Sequence, residues 1–347
     1  MKTDHLLIIR FSALGDVAMA VPVVSSLARQ YPHLRITVLS RPFARPLFES
    51  MAPNVGFMEA DIKGEYRGWA GLNALYRRLT AKNFTAIADF HNILRSGYLR
   101  LRFNLDRYRV EHIDKHRQQR HRLVSERNKV MEQLPSSFES YADVLRRLGY
   151  PVKLDFRSIF PQGGGNLRLL PEGMDDKKPF QQWIGVAPFA AHKGKVYPEP
   201  LMEQAVAEII RRHPSCRVFL FGAGPAEMEL MDLWADKYKN CENASGALRS
   251  MEKELVLMSR LDVMVSMDSA NMHLASLAGT RVVSIWGATH PYAGFLGWGQ
   301  KMSDAVQADL PCRPCSIFGN KPCARGDYAC LNQIKPQAVA DKVDESF

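Results

Sequence analysis

Short apolar runs alternate with longer amphipathic segments in the first half of the chain, which predicts a regular succession of strands and helices. The short runs have the mostly apolar character of strands buried in a parallel sheet. The longer segments place apolar residues near helical spacing. The predicted strands are 6–9, 36–39 and 85–90, and the predicted helices are 17–31, 43–51 and 70–82.

A second series of elements follows a break between residues 161 and 179. The break contains three consecutive glycines at 163–165 and the charged run 175–178, a composition typical of a linker. The predicted strands beyond it are 183–186, 217–221, 262–267 and 282–286, and the predicted helices are 199–212, 226–239, 251–260 and 270–278.

These repeated strand–helix units predict an α/β protein with two Rossmann-like, doubly wound parallel-sheet domains. We expect an N-terminal domain at residues 1–165, a linker at 166–180 and a C-terminal domain at 181–347, whose last helix is free to pack back on the first domain. Doubly wound sheets bind ligands at the C-terminal ends of their strands. The site is therefore expected in a central cleft that both domains face.

Composition limits the class of protein further. The chain has 347 residues, of which 46% are hydrophobic and 24% charged, so it can build two ordinary cores and is neither disordered nor fibrous. Its 46 basic residues exceed its 36 acidic residues by 10. This excess predicts an anionic partner without distinguishing nucleic acid, lipid headgroup and sugar phosphate.

Several features predict a cytoplasmic location. The apolar run before Arg10 is too short for a secretory signal peptide. The longest uncharged stretch, 282–300, contains Pro291 and four glycines, which do not suit a membrane-spanning helix. The six cysteines are therefore expected in a reducing compartment, without disulfides.

Residues 10–17 form the first turn between a predicted strand and a helix, and they include Gly15 and Asp16. Asp16 has two interpretations. It is either a helix cap stabilised by the helix dipole or a general base that takes a proton from an attacking hydroxyl. The single glycine does not make a dinucleotide-binding fingerprint.

Residues 267–273 form the corresponding turn in the second half. A predicted buried strand ends in Asp268 and Ser269, and the following helix start has unpaired N–H groups that favour a phosphate. His273 lies one turn into that helix. It either faces the same anion or is an ordinary core or surface histidine.

Two further turns of the second half carry candidate ligand-binding residues. Gly222 and Gly224 allow the protein backbone to approach a ligand closely, and Glu227 is placed to bond a ribose hydroxyl, although such turns are often glycine-rich for steric reasons. The loop 188–198 carries two lysines, of which Lys195 is the later. Their ammonium groups either balance a diphosphate or are simply solvated.

In this order the motifs resemble glycosyltransferase family 9, the bacterial lipopolysaccharide heptosyltransferases. The family has a Ser-x-x-Gly-Asp turn after its first strand, matched by residues 12–16. Its Pro-Gly-Ala and Lys-Arg-Trp-Pro motifs are matched in spacing by 188–190 and 195–198. Its Asp-Ser/Thr-Gly-x-x-His-Leu-Ala motif, followed by an apolar strand and a glycine, is matched by 268–275 and Gly287.

The resemblance implies a GT-B fold, with donor on the C-terminal domain and acceptor on the N-terminal one, and an inverting transfer that needs no metal or other cofactor. It implies that Asp16 activates the acceptor hydroxyl and that Lys195 balances the departing diphosphate. Without a divalent ion, that charge must be met by a cation and backbone donors. The implied donor-binding residues are Ala190, Gly222, Gly224, Glu227, Asp268, Ser269, Ala270 and His273, and Ser12 is implied for the acceptor.

The implied function is transfer of heptose from ADP-heptose to a lipopolysaccharide inner-core or lipid A acceptor by an enzyme peripheral to the inner face of the inner membrane. The chain departs from the family at Phe189 and Ala270, which replace glycines, and at Val196 and Tyr197, which replace Arg-Trp. These departures leave open a different nucleotide-sugar donor, or a catalytically inactive protein that binds sugar nucleotide or lipid.

Residues 95–129 hold eleven basic and four acidic side chains. The ordinary interpretation is a solvated helical face, and the alternative is a surface for the anionic acceptor and a charged bilayer. On the alternative, Arg117, Arg120 and Arg122 bind the acceptor. No ribonucleoprotein strand or Cys/His finger accompanies this stretch, so a nucleic-acid partner is not expected.

Four of the six cysteines are close together in sequence. Their thiolates are candidate ligands for a structural zinc ion, although the second spacing is longer than in compact zinc ribbons. The four are Cys312, Cys315, Cys323 and Cys330.

Overall fold

The computed structural model describes residues 4–160 and 163–347. Residues 1–3 and 161–162 lie outside the described residues, and with them the start of the chain and the first two residues of the predicted break. The chain separates into two compact units. The first comprises the described residues of Met1–His116 and Pro135–Arg157, and the second comprises Arg117–Leu134 and Ser158–Phe347.

The first unit is built on a parallel sheet of five strands in the order β3-β2-β1-β4-β5. Its strands are β1 (His5–Ile9), β2 (Arg35–Ser40), β3 (Val55–Glu59), β4 (Ala86–Asp89) and β5 (Arg109–His112). Helices up to residue 157 are α1 (Leu14–Ala18), α2 (Ala20–Gln30), α3 (Arg45–Phe48), α4 (Gly68–Thr80), α5 (Leu94–Leu105), α6 (Arg117–Leu123) and α7 (Ser137–Arg147). All of these helices except α6 belong to this unit.

The second unit has a parallel sheet of six strands in the order β11-β10-β9-β6-β7-β8. Its strands are β6 (Trp183–Ala187), β7 (Arg217–Leu220), β8 (Cys241–Asn243), β9 (Val263–Met267), β10 (Arg281–Trp286) and β11 (Ala305–Gln307). Its helices, besides α6, are α8 (Glu199–Arg212), α9 (Pro225–Lys237), α10 (Ala244–Leu248), α11 (Met251–Met258), α12 (Ala270–Ala278), α13 (Ala329–Asn332) and α14 (Pro336–Asp344).

Both sheets have the doubly wound topology, and this topology fixes where a ligand can bind. In each sheet the chain moves outward through three strands and then returns to the other side of the first strand. The strand order therefore reverses between β1 and β4 in one unit and between β6 and β9 in the other. A crevice opens beyond the strand C-termini at such a switch point.

The central strands were predicted to within one residue at each end because they are buried on both faces. Every residue of β1, β4, β6 and β9 is buried, which explains their nearly continuous apolar sequence. The predicted helices 199–212 and 270–278 have the observed bounds of α8 and α12. The predicted helix 17–31 is instead two helices, α1 and α2, joined at Met19.

The division of the chain differs from the expected domain boundaries. Residues 117–134, placed by sequence in the N-terminal domain, pack with the second unit, and the division near residue 157 precedes the expected linker. Lys129 explains part of this placement because its ammonium donates to the carbonyls of Cys312 and Pro314 at 2.8 and 3.0 Å.

The last helix, α14, packs within the second unit. Helix α14 lies on α8. Arg212 of α8 donates to Asp341 and Asp344 of α14 at 2.6 and 2.7 Å. The last helix is thus part of the second unit.

Among the described residues, no helix combines the length and the apolar character that crossing a bilayer requires.

Candidate active site

The first candidate group lies just beyond β1, at the switch point of the first sheet. Arg10 Nη2 and Asp16 Oδ2 form an ion pair at 2.5 Å. The Asp16 side chain is 30% exposed, whereas the Arg10 side chain is only 8% exposed. The carboxylate is therefore the member of this pair that a substrate can approach.

Arg10 is held by neighbouring strands, which makes it a rigid support for Asp16. Its Nη1 donates to the carbonyl of Phe90, just beyond β4, at 2.7 Å. Its backbone N–H donates to the carbonyl of Leu39 at 3.1 Å, and its carbonyl accepts the Ser40 hydroxyl at 2.6 Å. Because Leu39 and Ser40 belong to β2, the Arg10 backbone is held on one side of β1, and its guanidinium is held on the other side by the Phe90 carbonyl.

Asp16 also stabilises the start of the helix in which it lies. Its Oδ2 accepts the backbone N–H of Ala13 at 3.2 Å, and the Tyr141 hydroxyl donates to its carbonyl at 3.1 Å. The N-cap of α1 is Ala13, and Asp16 is the third residue of the helix, so Asp16 stabilises the helix start without being the N-cap that the sequence suggested. This contact does not exclude a role as a base, because it orients the carboxylate without neutralising it. Ser12 is half-buried in the same turn.

His91 lies beside this ion pair and was not identified from the sequence. Its Nδ1 accepts the backbone N–H of Phe11 at 3.4 Å. Burial, and secondarily the positive charge of Arg10, lower the pKa of His91 to about 3. The ring is therefore neutral at physiological pH and adds no charge next to Asp16.

The second candidate group lies at the switch point between β6 and β9. Lys195 Nζ is 2.9 Å from Asp268 Oδ2, and the Thr289 hydroxyl donates to the same oxygen at 2.9 Å. The Asp268 side chain is 3% exposed and the Lys195 side chain 16% exposed. The structure thus brings together two residues that the sequence separates widely, with the cation as the more accessible member.

Close backbone packing fixes the loop that carries Lys195. The carbonyl of Gly194 accepts the N–H of Ala288, just beyond β10, at 2.8 Å. A Cβ on Gly194 would lie 2.7 Å from the carbonyl oxygen of Gly319, and one on Gly287 would lie 2.6 Å from the Gly194 oxygen. Only glycine fits at both positions without a backbone shift. This explains the glycine that follows the apolar strand in the sequence motif.

Arg313 holds the backbone of residues 286–289 in place and was also not identified from the sequence. It is buried, and its guanidinium donates to the carbonyls of Gly287, Trp286 and Thr289 at 2.6, 3.1 and 3.0 Å. Burial lowers its pKa. The sequence around Arg313 has no helical or strand periodicity that would indicate a buried position. Its contacts with the 286–289 carbonyls are therefore visible only in the folded structure.

The start of α12 follows Asp268 directly. Ser269 is the N-cap in an extended conformation, and its hydroxyl is 3.3 Å from that of Ser266. Ala270 begins the helix with ordinary helical geometry, so the absence of the family glycine does not disturb the turn. His273 is buried one turn further along. The Ser269 side chain makes no cap hydrogen bond to this helix start, and the N–H groups at a helix start favour an anion.

The glycine-rich turn after β7 has its own support. The N–H of Gly222 donates to the Ser245 hydroxyl at 3.2 Å, and that hydroxyl donates to Glu254 at 2.6 Å. Burial raises the pKa of Glu254. Gly224, with φ of +90°, is the N-cap of α9, and Glu227 accepts the N–H of Ala223 at 2.7 Å. A contact of Glu227 with ribose remains a prediction.

The departures from the family motif have different structural consequences. Phe189 and Ala190 are half-buried, and a Cβ on Gly222 would lie 3.0 Å from the Phe189 ring. Phe189 therefore packs directly against the glycine-rich turn. Tyr197 is fully buried, and its hydroxyl donates to the carbonyl of Ile334 at 2.7 Å. Tyr197 thus belongs to the core of the second unit.

The predicted acceptor-binding arginines lie on or beside α6 in the second unit, not in the first. Arg117 and Arg122 are exposed, as expected for ligand-binding residues. Arg120 is half-buried with its guanidinium 4.8 Å from the centre of the Phe295 ring. The residues therefore do not form one uniform basic surface.

The four C-terminal cysteines do not form the zinc site that their spacing suggested. Among residues 4–160 and 163–347, no three His, Cys, Asp or Glu side chains come together in a way that could hold a metal ion. Cys312 is exposed, whereas Cys330 is buried in the core, where burial raises its pKa to about 11. A thiol so placed is inert rather than poised as a thiolate ligand.

Comparison with known proteins identifies the family. The model of glycosyltransferase family 9 (heptosyltransferase) matches residues 72–321, more than two thirds of the chain. The chain belongs to glycosyltransferase family 9. The resemblance drawn from the motifs is confirmed, and the protein is a glycosyltransferase.

Curated relatives of this family 9 chain are heptosyltransferases. It is 24% identical over 301 residues to the lipopolysaccharide core heptosyltransferase OpsX of Haemophilus influenzae, which covers 82% of this chain and 80% of that protein. It is 23% identical to the lipopolysaccharide heptosyltransferase 1 of Campylobacter coli, over 98% of both chains.

Solved structures confirm the GT-B fold of this family 9 chain. E. coli heptosyltransferase WaaC with ADP matches with a TM-score of 0.69 and 17% identity, over 99% of this chain and 100% of that chain. A glycosyltransferase family 9 structure from Veillonella parvula matches with a TM-score of 0.72 and 16% identity, over 100% and 98% of the two chains.

Proposed function

We propose that the protein transfers a heptose from ADP-heptose to the inner core or lipid A part of a lipopolysaccharide. Family membership and the names of the curated relatives support this proposal. The observation that carries it is the pair of switch-point ion pairs, one with an accessible carboxylate and one with an accessible ammonium. Transfer of a glycosyl group from a nucleoside diphosphate sugar needs a base that deprotonates the acceptor hydroxyl and a cation that stabilises the leaving diphosphate.

In this mechanism Asp16 is the base. The acceptor hydroxyl oxygen bonds to the anomeric carbon of the heptose from the face opposite the diphosphate, and its proton passes to the Asp16 carboxylate. The bond between the anomeric carbon and the diphosphate oxygen breaks, and the electron pair leaves with ADP. The configuration at the anomeric carbon is inverted.

Lys195 and the start of α12 stabilise the departing ADP. The ammonium and the N–H groups beyond Ser269 supply positive charge where negative charge develops. Asp268 takes a different part from the one predicted, because a buried carboxylate would repel a diphosphate. Its contacts with Lys195 and Thr289 support a role as a positioning residue.

The remaining donor contacts are proposed on the turns around this group. Gly222 and Gly224 leave room for the nucleotide, Ala190 lines the neighbouring loop, and Glu227 is proposed for the ribose. Ala270 and His273 belong to the helix start proposed for the diphosphate.

The acceptor is proposed to contact Ser12, beside Asp16, and the exposed Arg117 and Arg122. Replacing the two arginines by glutamate should raise the KM for the acceptor and leave the KM for the donor unchanged. An unchanged acceptor KM would remove them from the acceptor site. Arg120 is less suitable for this test because its packing on Phe295 makes it part of the fold.

The same substrate suggests where the protein acts. A lipid-anchored acceptor is confined to a membrane, so we propose that the protein works as a peripheral protein on the inner face of the inner membrane. The cationic excess of the chain, 46 basic against 36 acidic residues, favours an anionic leaflet.

Transfer is tested with purified protein, ADP-heptose and lipopolysaccharide truncated before its first heptose. We expect release of ADP and an acceptor heavier by one heptose. A thermal-shift panel of ADP, UDP, GDP and CDP runs in parallel, because a nucleotide that binds the native state raises its melting temperature. Stabilisation by another nucleotide would indicate a different donor. Nucleotide binding without turnover of any sugar would indicate a catalytically inactive binding protein.

A further inference from the structure

Helix α5 has an exposed apolar face directly opposite the face that it buries. Its buried residues are Ser96, Leu99 and Phe103. On the opposite side, successive residues at helical spacing are Leu94, Tyr98, Leu101 and Leu105. Leu94, Leu101 and Leu105 are 77%, 55% and 68% exposed. An amphipathic helix that only covered a core would be polar there.

An aromatic residue from the neighbouring helix extends this face. Trp69 of α4 is 58% exposed, and its ring centre lies 5.1 Å from that of Tyr98. Indole and phenol rings have an apolar body and a polar edge, and they are enriched where hydrocarbon meets water. We call Trp69, Leu94, Tyr98, Leu101 and Leu105 the α5 face.

The charges around the α5 face are mainly positive. Between residues 94 and 107 the sequence has four arginines and one aspartate. Arg95 and Arg107 are exposed, and Arg102 donates to the neutral amide oxygen of Asn73 at 2.6 Å. Arg100 instead pairs with the buried Asp89, and the aspartate, Asp106, accepts the Tyr76 hydroxyl. The side chains that border the apolar residues therefore attract anions.

We propose that the α5 face inserts shallowly into an anionic lipid leaflet and docks the enzyme on it. Exposed leucines with a tryptophan and flanking arginines are the composition of a helix that lies in the membrane interface. Arginine side chains there reach lipid phosphates while their methylene stems stay against the apolar layer. This inference rests on the proposed function in one respect: docking on the leaflet brings the enzyme to its lipid-anchored acceptor. The docking itself does not depend on that function.

A second copy of the chain is a less suitable occupant. The face spans eleven residue steps, or about 17 Å, and is one helix, or about 10 Å, wide. Its area of roughly 170 Å² is far short of the roughly 800 Å² per partner of a standard interface. Two copies related by a twofold axis would also bring their arginines together, which is unfavourable. An anionic leaflet satisfies the same arginines and needs only a few inserted side chains.

Vesicle sedimentation of the full-length protein tests the proposal. We expect the protein to bind vesicles rich in phosphatidylglycerol and to bind phosphatidylcholine vesicles more weakly. The double variant Leu101→Gln/Leu105→Gln should bind the anionic vesicles at least about tenfold more weakly, because each leucine withheld from the lipid loses its transfer free energy. The variant Arg95→Gln/Arg107→Gln should lose mainly the preference for anionic lipid.

A matched control comes from the second unit. Leu233 on α9 is 59% exposed, so Leu233→Gln removes an exposed leucine without touching the α5 face. This control should bind vesicles like the wild type, and all variants should have the melting temperature of the wild-type protein. Equal binding by wild type and the leucine variant would overturn the proposal. So would a wild-type dimer that the leucine variant dissociates without any change in vesicle binding.

Activity measurements separate this inference from the proposed function. With an acyl-free acceptor in solution, the leucine variant should turn over like the wild type. With the acceptor embedded in vesicles, its rate should fall in proportion to its loss of vesicle binding. If the wild type transfers no sugar at all, the proposed function fails, and vesicle binding alone still decides the role of the α5 face.

Discussion

Each of the two switch points carries an ion pair between a buried side chain and a more exposed one. The exposed member is the acidic residue in one pair and the basic residue, a cation, in the other. In the first unit the guanidinium of Arg10 is buried and the carboxylate of Asp16 is accessible. In the second unit the carboxylate of Asp268 is buried and the ammonium of Lys195 is accessible. The same topology, present in both units, thus places the more exposed carboxylate on one sheet and the more exposed ammonium on the other.

The inner partner in each pair has the same physical task. A buried charge that is hydrogen-bonded to the backbone or to a second side chain holds its outer partner in one orientation. Arg10 is held by the Phe90 carbonyl, and Asp268 by the Thr289 hydroxyl. The outer partner then meets its substrate with little reorganisation, which is the condition for electrostatic stabilisation of a transition state.

Removing the outer carboxylate should have the largest effect. Asp16→Asn keeps an oxygen that can cap the helix but removes the base, so kcat should fall by about 10² to 10⁴-fold. ADP should still raise the melting temperature, because the residues proposed to bind the donor belong to the other sheet. The measurement is initial-rate transfer combined with thermal shift.

A surface carboxylate in the same unit provides the control for Asp16. Asp155 pairs with Arg29 in an exposed ion pair, so Asp155→Asn should leave kcat nearly unchanged. If Asp16→Asn were as active as Asp155→Asn, Asp16 would only stabilise the helix start. The first switch point would then supply no base for the reaction.

Removing the outer cation should have the next largest effect. Lys195→Met keeps the length of the side chain and loses the charge, so kcat should fall by about 10² to 10³-fold, as for loss of one transition-state donor. Lys193→Met is the matched control, because Lys193 is two residues away and lies over the Tyr328 ring instead. Equal losses in both variants would show that the loop matters only through its overall charge.

Removing the inner carboxylate should have a smaller effect, and one that depends on Lys195. Asp268→Asn leaves the ammonium in place but loosens it, so we expect about a tenfold loss of kcat, equivalent to 1.4 kcal/mol. In the Lys195→Met background the same substitution should cost little more, since its partner is gone. Fully additive losses in this double-mutant cycle would contradict a positioning role. A melting-temperature check identifies variants that fail to fold.

The sequence pointed to three of the four ion-pair residues, Asp16, Lys195 and Asp268, but not to Arg10, the buried partner of Asp16. Asp16 and Lys195 lie in turns that follow strongly apolar strands, and their neighbours match family motifs, so both could be found from the chain alone. That Asp268 contacts Lys195 and Thr289 depends on three loops meeting at one switch point, which no local pattern contains. Arg313 and Gly319 act through backbone contacts that are equally nonlocal.

The errors in prediction have a similar origin. Residues 117–134 were assigned by their place in the sequence, whereas Lys129 ties them to carbonyls near Cys312 in the second unit. The cysteine spacing resembles a metal motif, but the fold buries Cys330 and exposes Cys312. Edge strands such as β8 and β11 have only three residues each, too few for a periodic signal.

The smallest expected effect concerns pH and compares a neutral histidine in each unit. Burial lowers the pKa of His91 to about 3 and that of His290 to about 4. The unfolded chain takes up a proton at each site as the pH falls through about 6.5, whereas the folded chain does not. The free energy of unfolding should therefore fall with pH in the window below 6.5, by about 0.7 kcal/mol per histidine between pH 7 and 6.

His91→Asn keeps an acceptor for the Phe11 N–H and removes one titrating group, so urea unfolding of this variant should depend less steeply on pH. The exposed His33 supplies the control, since His33→Asn should leave the slope as it is in the wild type. A wild-type slope in His91→Asn would mean that this ring takes up its proton in the folded protein. The neutral imidazole beside Arg10 and Asp16 would then be a charged one, and the electrostatics of the first switch point would have to be revised.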